Sequence, residues 1–320
     1  MNKKIAILTS GGDAPGMNAA IRAVTRAALQ EGWEVFAIYN GYKGLIDGEL
    51  YKFSRKDVSE ILYRGGTILG TARLPEFVDP NVRQKGIENL KKYGIDTLIV
   101  LGGDGTYHGA QKLVEMGINC IGIPCTIDND IVGTDFTIGF DTALNTIVNA
   151  VDKIRDTSSS HQRCTIVEIM GRYCGDLALW AGICCGAEYV IIPEKEFNRQ
   201  ELLDNLKTHH DQGRRHAIVL ITEKITDVEE LARDTEEYTE FETRATVLGY
   251  IQRGGSPSGA DRVLASRMGA YAVELIKQGK EGRCVGIIDN QLTSTDFVEA
   301  LNGKKRQTND NLYNVFFKIR

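Results

Sequence analysis

Thr97-Leu98-Ile99-Val100-Leu101-Gly102-Gly103-Asp104-Gly105-Thr106 decides the architecture. An unbroken apolar, β-branched run suits a strand buried on both faces, because a half-exposed antiparallel strand would alternate apolar with polar residues. Glycines end the run, and a helical-period stretch follows from about Tyr107. The same sequence of short apolar run, turn and helical stretch recurs from Ile5–Leu8, Val35–Ile38, Cys120–Ile123, Thr165–Ile169, Tyr189–Ile192, Ala217–Ile221 and Val285–Ile288. That alternation predicts an α/β protein with mainly parallel sheets covered by helices. Ligands in such sheets bind at the carboxyl ends of the strands, so the loops after these runs are where chemistry is expected.

At 320 residues and 42% hydrophobic content the chain can bury one large core or two fused ones, and two lobes are expected. A net charge of -5 supplies no overall basic field, which argues against nucleic acid or an anionic membrane as partner. No apolar run approaches the ~18 residues of a membrane span, and the start is too short for a signal-peptide core, so a cytoplasmic protein is expected. The seven cysteines form no C-x-x-C pair and read as reduced and buried. Thr226–Glu242, the most acidic stretch, reads as a solvated surface helix.

Two loops suit phosphate. The first strand runs into Thr9-Ser10-Gly11-Gly12-Asp13-Ala14-Pro15-Gly16-Met17-Asn18, with a helix from around Ala19. Backbone N–H groups in such a turn, with the positive end of the helix, bind anions. In the second loop, Gly102–Thr106, glycines admit a polyphosphate against bare backbone, and Asp104 is placed to serve a divalent cation.

Pro124-Cys125-Thr126-Ile127-Asp128-Asn129-Asp130 puts two carboxylates two residues apart at another strand end. In an extended segment both would face one site, with Asp128 the natural base for an alcohol proton and Asp130 orienting it or sharing a metal. An Asx-rich turn is the alternative. Arg172, in Met170-Gly171-Arg172, is positioned to meet charge developing on a transferred phosphoryl group. Arg163, Arg244 and Arg253, taken alone, read as surface ion pairs.

Taken together in order, Thr9–Asn18, Gly102–Thr106, Pro124–Asp130, Met170–Arg172 and Ile251-Gln252-Arg253-Gly254-Gly255-Ser256-Pro257 resemble the signature of bacterial ATP-dependent 6-phosphofructokinases. The resemblance covers the chain from Lys4 to about Asn302. It implies the phosphofructokinase fold, two similar lobes with the active site in the cleft between them. Residues 1–138 plus 252–304 would form an ATP-binding lobe, and 139–251 plus 305–320 a sugar-phosphate-binding lobe. The implied reaction moves the γ-phosphoryl group of Mg-ATP to the 1-hydroxyl of fructose 6-phosphate.

Residue by residue, Gly12, Arg73, Leu74, Gly103, Asp104, Gly105 and Thr106 would hold ATP, with Asp104 serving Mg²⁺. Asp128 would be the base, with Thr126, Ile127 and Asp130 beside it, and Arg172 would stabilise the phosphoryl group. Met170, Gly171, Glu223 and Tyr250 would meet the sugar. Arg163, Arg244 and Arg253 would bind its 6-phosphate, two of them reaching from a neighbouring subunit of a homotetramer. Arg22, Arg26, Arg55, Ser59, Arg155, Gly186, Glu188, Gln212, Arg214 and His216 would form an effector site for activating ADP and inhibiting phosphoenolpyruvate. Arg22 and Arg26 lie one helical turn apart, as a phosphate clamp requires.

Three positions depart from that pattern: Cys125 for Gly, expected to crowd the phosphates; Tyr250 for His; and Gln212 for Lys. Pyrophosphate-dependent relatives typically carry Asp where this chain has Gly105, so ATP is the expected donor. NAD and lipid kinases share the Gly102–Thr106 pattern but should lack Thr126–Asp130 and Gln252–Gly255. A catalytically weakened, effector-binding family member is the remaining alternative.

Overall fold

The computed structural model describes residues 3–303 and 310–320. The chain divides into two compact units, Met1–Thr142 with Arg253–Lys305, and Ala143–Gln252 with Arg306–Arg320. A crossing near residue 304 lies outside the described residues.

The first unit contains β1 (Lys4–Thr9), α1 (Met17–Gln30), β2 (Glu34–Ile38), α2 (Gly41–Asp47), β3 (Leu50–Phe53), α3 (Pro80–Tyr93), β4 (Thr97–Gly102), α4 (Asp104–Val114) and β5 (Asn119–Pro124). The helix α5 (Phe140–His161) starts in it and runs into the second unit. There the chain forms β6 (Cys164–Ile169), α6 (Asp176–Cys185), β7 (Tyr189–Ile191), α7 (Arg199–Asp211), β8 (Ala217–Thr222), α8 (Val228–Thr239) and β9 (Thr243–Val247). α9 (Gly259–Lys277), β10 (Arg283–Ile288), β11 (Gln291–Asp296) and α10 (Phe297–Asn302) complete the first unit, and α11 (Asp310–Ile319) the second.

The first sheet has the order β11-β10-β5-β4-β1-β2-β3, and the second β7-β8-β6-β9. Among the described residues, only the β2–β3 and β10–β11 pairs are antiparallel. Every run singled out in the sequence is a strand. The three strands that the sequence reading missed, β3, β9 and β11, all lie at sheet edges. β11 is Gln-Leu-Thr-Ser-Thr-Asp and mostly half-exposed, so it carries no apolar run. The apolar strands are central because both their faces are covered, β4 being buried at every residue. Ala6, Leu8, Leu98, Val100, Tyr107 and Leu113 are among the side chains packing one core, and Ile166, Val219, Ile221, Leu206 and Leu231 among those packing the other.

Two helices start earlier than their sequence suggested. α1 begins at Met17, after Gly16 at φ 107°. α4 begins at Asp104, so Asp104, Gly105 and Thr106 form a helix's first turn and not a free loop. The acidic stretch 226–242 holds α8, but this helix is amphipathic: Leu231, Ala232, Thr235 and Thr239 are buried, and only the other face is solvated.

Candidate functional site

In the first unit, β5, β4 and β1 are neighbours, so the loops leaving their carboxyl ends meet. The Ser10 N–H donates to the Leu101 carbonyl at 3.0 Å, and the Cys125 N–H to the Gly102 carbonyl at 3.0 Å. The Thr106 hydroxyl donates to the Ser10 carbonyl at 3.0 Å, tying the second loop to the first. This closeness requires glycine at 102, where a Cβ would collide with that hydroxyl and carbonyl. The buried Tyr42 supports the turn, its hydroxyl donating to the Thr106 carbonyl at 2.6 Å. No side chain caps α4, and the Thr106 N–H already donates to the Gly103 carbonyl at 3.0 Å, so the N–H groups of Asp104 and Gly105 are the ones placed to meet an anion.

At Gly105 an added Cβ would meet nothing within 4 Å. The Asp104 carboxylate is 40% exposed beside it, 3.7 Å from His108 Nε2. Thr71 donates to the Gly11 carbonyl at 2.8 Å; Arg73, two residues on, is exposed, and Leu74 packs against the core. Asn18 fixes the neighbouring loop, donating to the Arg64 and Gly65 carbonyls at 3.0 and 3.1 Å and accepting from the Ile68 N–H at 2.7 Å.

The Thr126–Asp130 segment sits against that loop, with Thr126 Cβ 3.5 Å from where a Cβ on Gly103 would stand. It is not extended: the chain bends at Ile127–Asp128 and Asn129 is left-handed at φ 55°. The expectation that Asp128 and Asp130 share a face through strand alternation therefore does not apply. The Asn129 side chain organises the turn, accepting the Thr137 N–H at 2.9 Å and donating to the Asp135 carbonyl at 3.2 Å. Asp128 is 8% exposed, its N–H donating to the Thr126 hydroxyl at 3.2 Å. Ile127 is fully buried, leaving only its backbone for contacts with a ligand.

Cys125 is also fully buried, and burial foremost, then the charge of Asp261, pushes its thiol pKa well up. Its side chain belongs to the core, so the expected crowding of phosphates has no geometric basis. Arg253 lies on the first loop, where its Nη1 donates to the Asp13 carbonyl at 3.1 Å and its guanidinium leaves no room for a Cβ on Gly12.

In the second unit, β6 lies between β8 and β9, all parallel. At their carboxyl ends, the Arg172 N–H donates to Glu223 Oε1 at 3.0 Å, with Arg172 left-handed at φ 59° after Gly171 at φ 142°. Burial first, then Glu223 and Asp227, raises the pKa of the neighbouring Glu168. The Met170 N–H donates to Gln252 Oε1 at 3.1 Å. Tyr250, in the 3-10 turn Gly249–Arg253, is 84% exposed.

Arg163 and Arg244 stand at the opposite, amino ends. Arg163 directly precedes β6, and Arg244 pairs in register with Thr165. Glu242 holds both, at 2.8 and 2.7 Å, and Glu236 adds a contact of 3.1 Å to Arg244. The seven-residue rise from Arg163 to Met170 is roughly 23 Å of strand. The structure thus separates these arginines from Met170, Arg172 and Glu223, and places Arg253 with the first loop instead.

The effector candidates fall into two sets. Arg22 and Arg26 are neighbours on α1, where burial first and then the charge of Arg26 holds the Arg22 pKa down. Arg55 joins α1 through Gln30 at 2.9 Å, and the Ser59 hydroxyl turns back to the Lys56 carbonyl at 2.6 Å. In the second unit, Arg155 donates to the Cys185 and Gly186 carbonyls at 2.6 and 3.0 Å and lies 3.4 Å from His216 and 3.9 Å from Glu188. Gln212 ends α7, and the Arg214 N–H donates to the His209 carbonyl at 3.1 Å. Sequence reasoning gave no role to Tyr42, Asn18 or Gln252; of these, Asn18 and Gln252 stand inside quoted motifs, and Tyr42 has no local signal.

Bare glycine backbone at an uncapped helix start, one exposed carboxylate in its first turn and a second, buried carboxylate in the turn after the adjoining strand define a phosphotransferase. Residues 4–276 match the model of the family described as Phosphofructokinase. The ATP-dependent 6-phosphofructokinase of Serratia proteamaculans is 60% identical over 306 residues, covering 96% of this chain and 96% of that one. That of Vibrio parahaemolyticus is 58% identical over 315 residues, covering 98% of each. Among solved structures, phosphofructokinase from Saccharomyces cerevisiae superposes with a TM-score of 0.90 at 36% identity, covering 99% of this chain; this chain spans 50% of that longer one. A pyrophosphate-dependent phosphofructokinase from Marinobacter aquaeolei gives 0.85 at 23% identity, covering 97% of this chain and 86% of that one, a likeness of fold alone. The chain belongs to the phosphofructokinase family.

Proposed function

We propose that the chain transfers the γ-phosphoryl group of ATP to the 1-hydroxyl of fructose 6-phosphate, giving fructose 1,6-bisphosphate and ADP. The observation that carries this reading is the meeting, at the ends of β4 and β5, of the open Gly105 turn with the Thr126–Asp128 turn. Such a site holds a polyphosphate and a proton acceptor together, which is what phosphoryl transfer to an alcohol requires.

The first-turn N–H groups of α4 and the backbone around Gly12 bind the phosphates, and Asp128 accepts the proton of the attacking hydroxyl. Arg172 offers its guanidinium to charge that grows on the transferring group, a contribution made mainly in the transition state. Met170 and Glu223 line the sugar. Among the described residues no group of three or more His, Cys, Asp or Glu could hold a metal. A lone exposed carboxylate such as Asp104 instead fits Mg²⁺, which usually takes one or two carboxylates and completes its shell with water and phosphate oxygens. Bound there, Mg²⁺ would neutralise phosphate charge; every proton is handled by the protein.

We further propose a homotetramer in which Arg163 and Arg244 serve a neighbouring subunit's sugar phosphate, with ADP activating and phosphoenolpyruvate inhibiting at the two arginine sets described above. No helix among the described residues is long and apolar enough to cross a membrane. Cys120, Cys125, Cys164 and Cys284 are buried free thiols, and Cys185 and exposed Cys184 are likewise in no disulfide, which suits the cytoplasm. A coupled assay with fructose 6-phosphate, comparing ATP and pyrophosphate with and without Mg²⁺, tests the reading. Turnover is expected with Mg-ATP only; faster turnover with pyrophosphate overturns it.

A further inference from the structure

The Ile251–Pro257 stretch contains one fully buried polar side chain, Gln252, exposed by 0%. Both ends of its amide are used. Oε1 accepts the Met170 N–H at 3.1 Å, and Nε2 donates to the Gly249 carbonyl at 3.0 Å. Met170 is the first residue beyond β6, where the parallel ladder stops; the last bonds beside it are the Glu223 N–H to the Ile169 carbonyl at 2.8 Å and the Leu248 N–H to the Glu168 carbonyl at 3.1 Å. Gln252 therefore extends the hydrogen-bonding of the central strand by one residue.

Past Met170 the backbone is strained. Gly171 at φ 142° admits no Cβ, which would collide with the Cys174 carbonyl, and Arg172 at φ 59° is a long side chain in the left-handed region. Such conformations cost of order 1–3 kcal/mol each and persist only where their surroundings fix them. Two side chains fix this loop: Gln252 at Met170, and Glu223 Oε1 accepting from the Arg172 N–H at 3.0 Å. Glu223 is proposed to line the sugar, whereas Gln252 is buried and touches no ligand surface.

We propose that Gln252 is a positioning residue for phosphoryl transfer, holding the Met170–Arg172 turn so that Arg172 presents its guanidinium to the transferring group. This rests on the role proposed for Arg172. An unbonded, half-buried Met170 N–H would draw the turn toward another acceptor, and a displacement of about 1 Å in a positioned group can cost ~100-fold in rate.

The test uses the purified full chain and four variants. In Gln252→Leu, kcat is expected to fall by about 10-fold or more while KM for ATP, bound by the other unit's loops, stays within about 2-fold. Gln252→Glu keeps an acceptor for Met170 but, when ionised, loses the donor to Gly249. Burial raises such a carboxyl's pKa, and protonation restores the donor, so this variant should recover kcat as pH falls, where the parent does not. Arg172→Ala and the Gln252→Leu/Arg172→Ala double variant separate the two readings. If Gln252 acts through Arg172, the double variant is no slower than Arg172→Ala. Equal slowing by Gln252→Leu in the presence and absence of Arg172, or a lowered melting temperature with unchanged kcat, overturns the proposal. An unchanged kcat in Arg172→Ala removes Arg172 from the reaction, and the positioning role with it. Should the Leu variant fail to fold, the pH profile of Gln252→Glu decides: recovery supports the role, and a profile parallel to the parent's overturns it.

Discussion

Asp128 is nearly buried, like Thr126 and Asn129 beside it, in a turn held by hydrogen bonds of Thr126, Asn129 and Thr137, so its position is fixed before any substrate arrives. As the proposed base it contributes to the rate and not to assembly. Asp128→Ser is therefore expected to lower kcat by at least ~100-fold, the lower range for losing a general base, with KM values changing little. Steady-state kinetics check this, and a near-parental kcat would remove Asp128 from the mechanism. Tyr250 carries a different expectation. Its ring is 84% exposed, so the phenol is not packed into a fixed contact, and a phenol hydroxyl stands farther from the backbone than either imidazole nitrogen. Tyr250→His is expected to lower KM for the sugar phosphate by roughly 5–30-fold, equivalent to about 1–2 kcal/mol, with kcat changing less. A KM that stays the same or rises would show the phenol already makes the contact. Cys125 shows the limit of reading single residues from sequence: a substitution at a phosphate loop suggests crowding, but which way a side chain faces depends on strand pairing, and this one turns inward.

At the scale of elements, legibility followed burial. β1, β2, β4, β5, β6, β7, β8 and β10 were readable because strands covered on both faces must be apolar, whereas β3, β9 and β11 are edge strands: β9 and β11 are largely polar, and β3 is only Leu-Tyr-Lys-Phe with its two middle residues exposed. The second phosphate loop was legible as chemistry but not as geometry. Gly-Asp-Gly suggests a loop by propensity, yet Asp104 opens α4 because an acidic first turn suits the helix dipole and Gly103 can adopt the extended N-cap conformation. The Asp128 turn was misread as extended for a related reason, since Asn129 accepts a left-handed φ that alternation arguments ignore. Contacts such as Tyr42 with Thr106 join residues 64 positions apart and leave no local trace. The end of α7 supports its own expectation. Gln212 is its C-cap and exposed, two residues before Arg214, in the segment proposed to bind effector phosphate. A lysine there would face the helix's negative end and add a charge toward the ligand. Gln212→Lys is expected to tighten ADP and phosphoenolpyruvate binding by about 10-fold, the low end for one charge-assisted contact of ~1.5–3 kcal/mol. Titrating each effector against initial rate measures it; an unchanged response would show that the site is unused or that Arg214 and Arg215 suffice.

At the scale of the whole molecule, the cations of the second unit stand at opposite ends of one strand. The net charge is -5, so an anionic substrate must be met by local arginines and not by an overall field. Yet β6 runs from Arg163 at one end to Met170–Arg172 at the other, and Arg244 sits beside Thr165 at the same amino end as Arg163. A strand of that length is rigid, and roughly 23 Å separates its ends. The second unit by itself therefore does not present Arg163 and Arg172 to one sugar phosphate. At the amino end, Glu242 and Glu236 pair with both arginines in half-exposed to exposed contacts, which are worth little and can be exchanged for a phosphate at small cost. Under the proposed sharing of sites, a neighbouring copy would bring its own arginines to this chain's Arg172, and self-association would be a condition of activity. Complementation tests this directly. Asp128→Ser and Arg244→Ala chains are each expected to be nearly inactive alone. Mixed in equal amounts by co-expression, some sites would combine the Asp128 of an Arg244→Ala chain with the Arg244 of an Asp128→Ser chain, and by random pairing about a quarter of all sites would be intact. Activity near a quarter of the parental value is the expected outcome. If every site were built within one chain, each would keep one defect whatever its neighbours, and the mixture would be no more active than the two variants assayed apart.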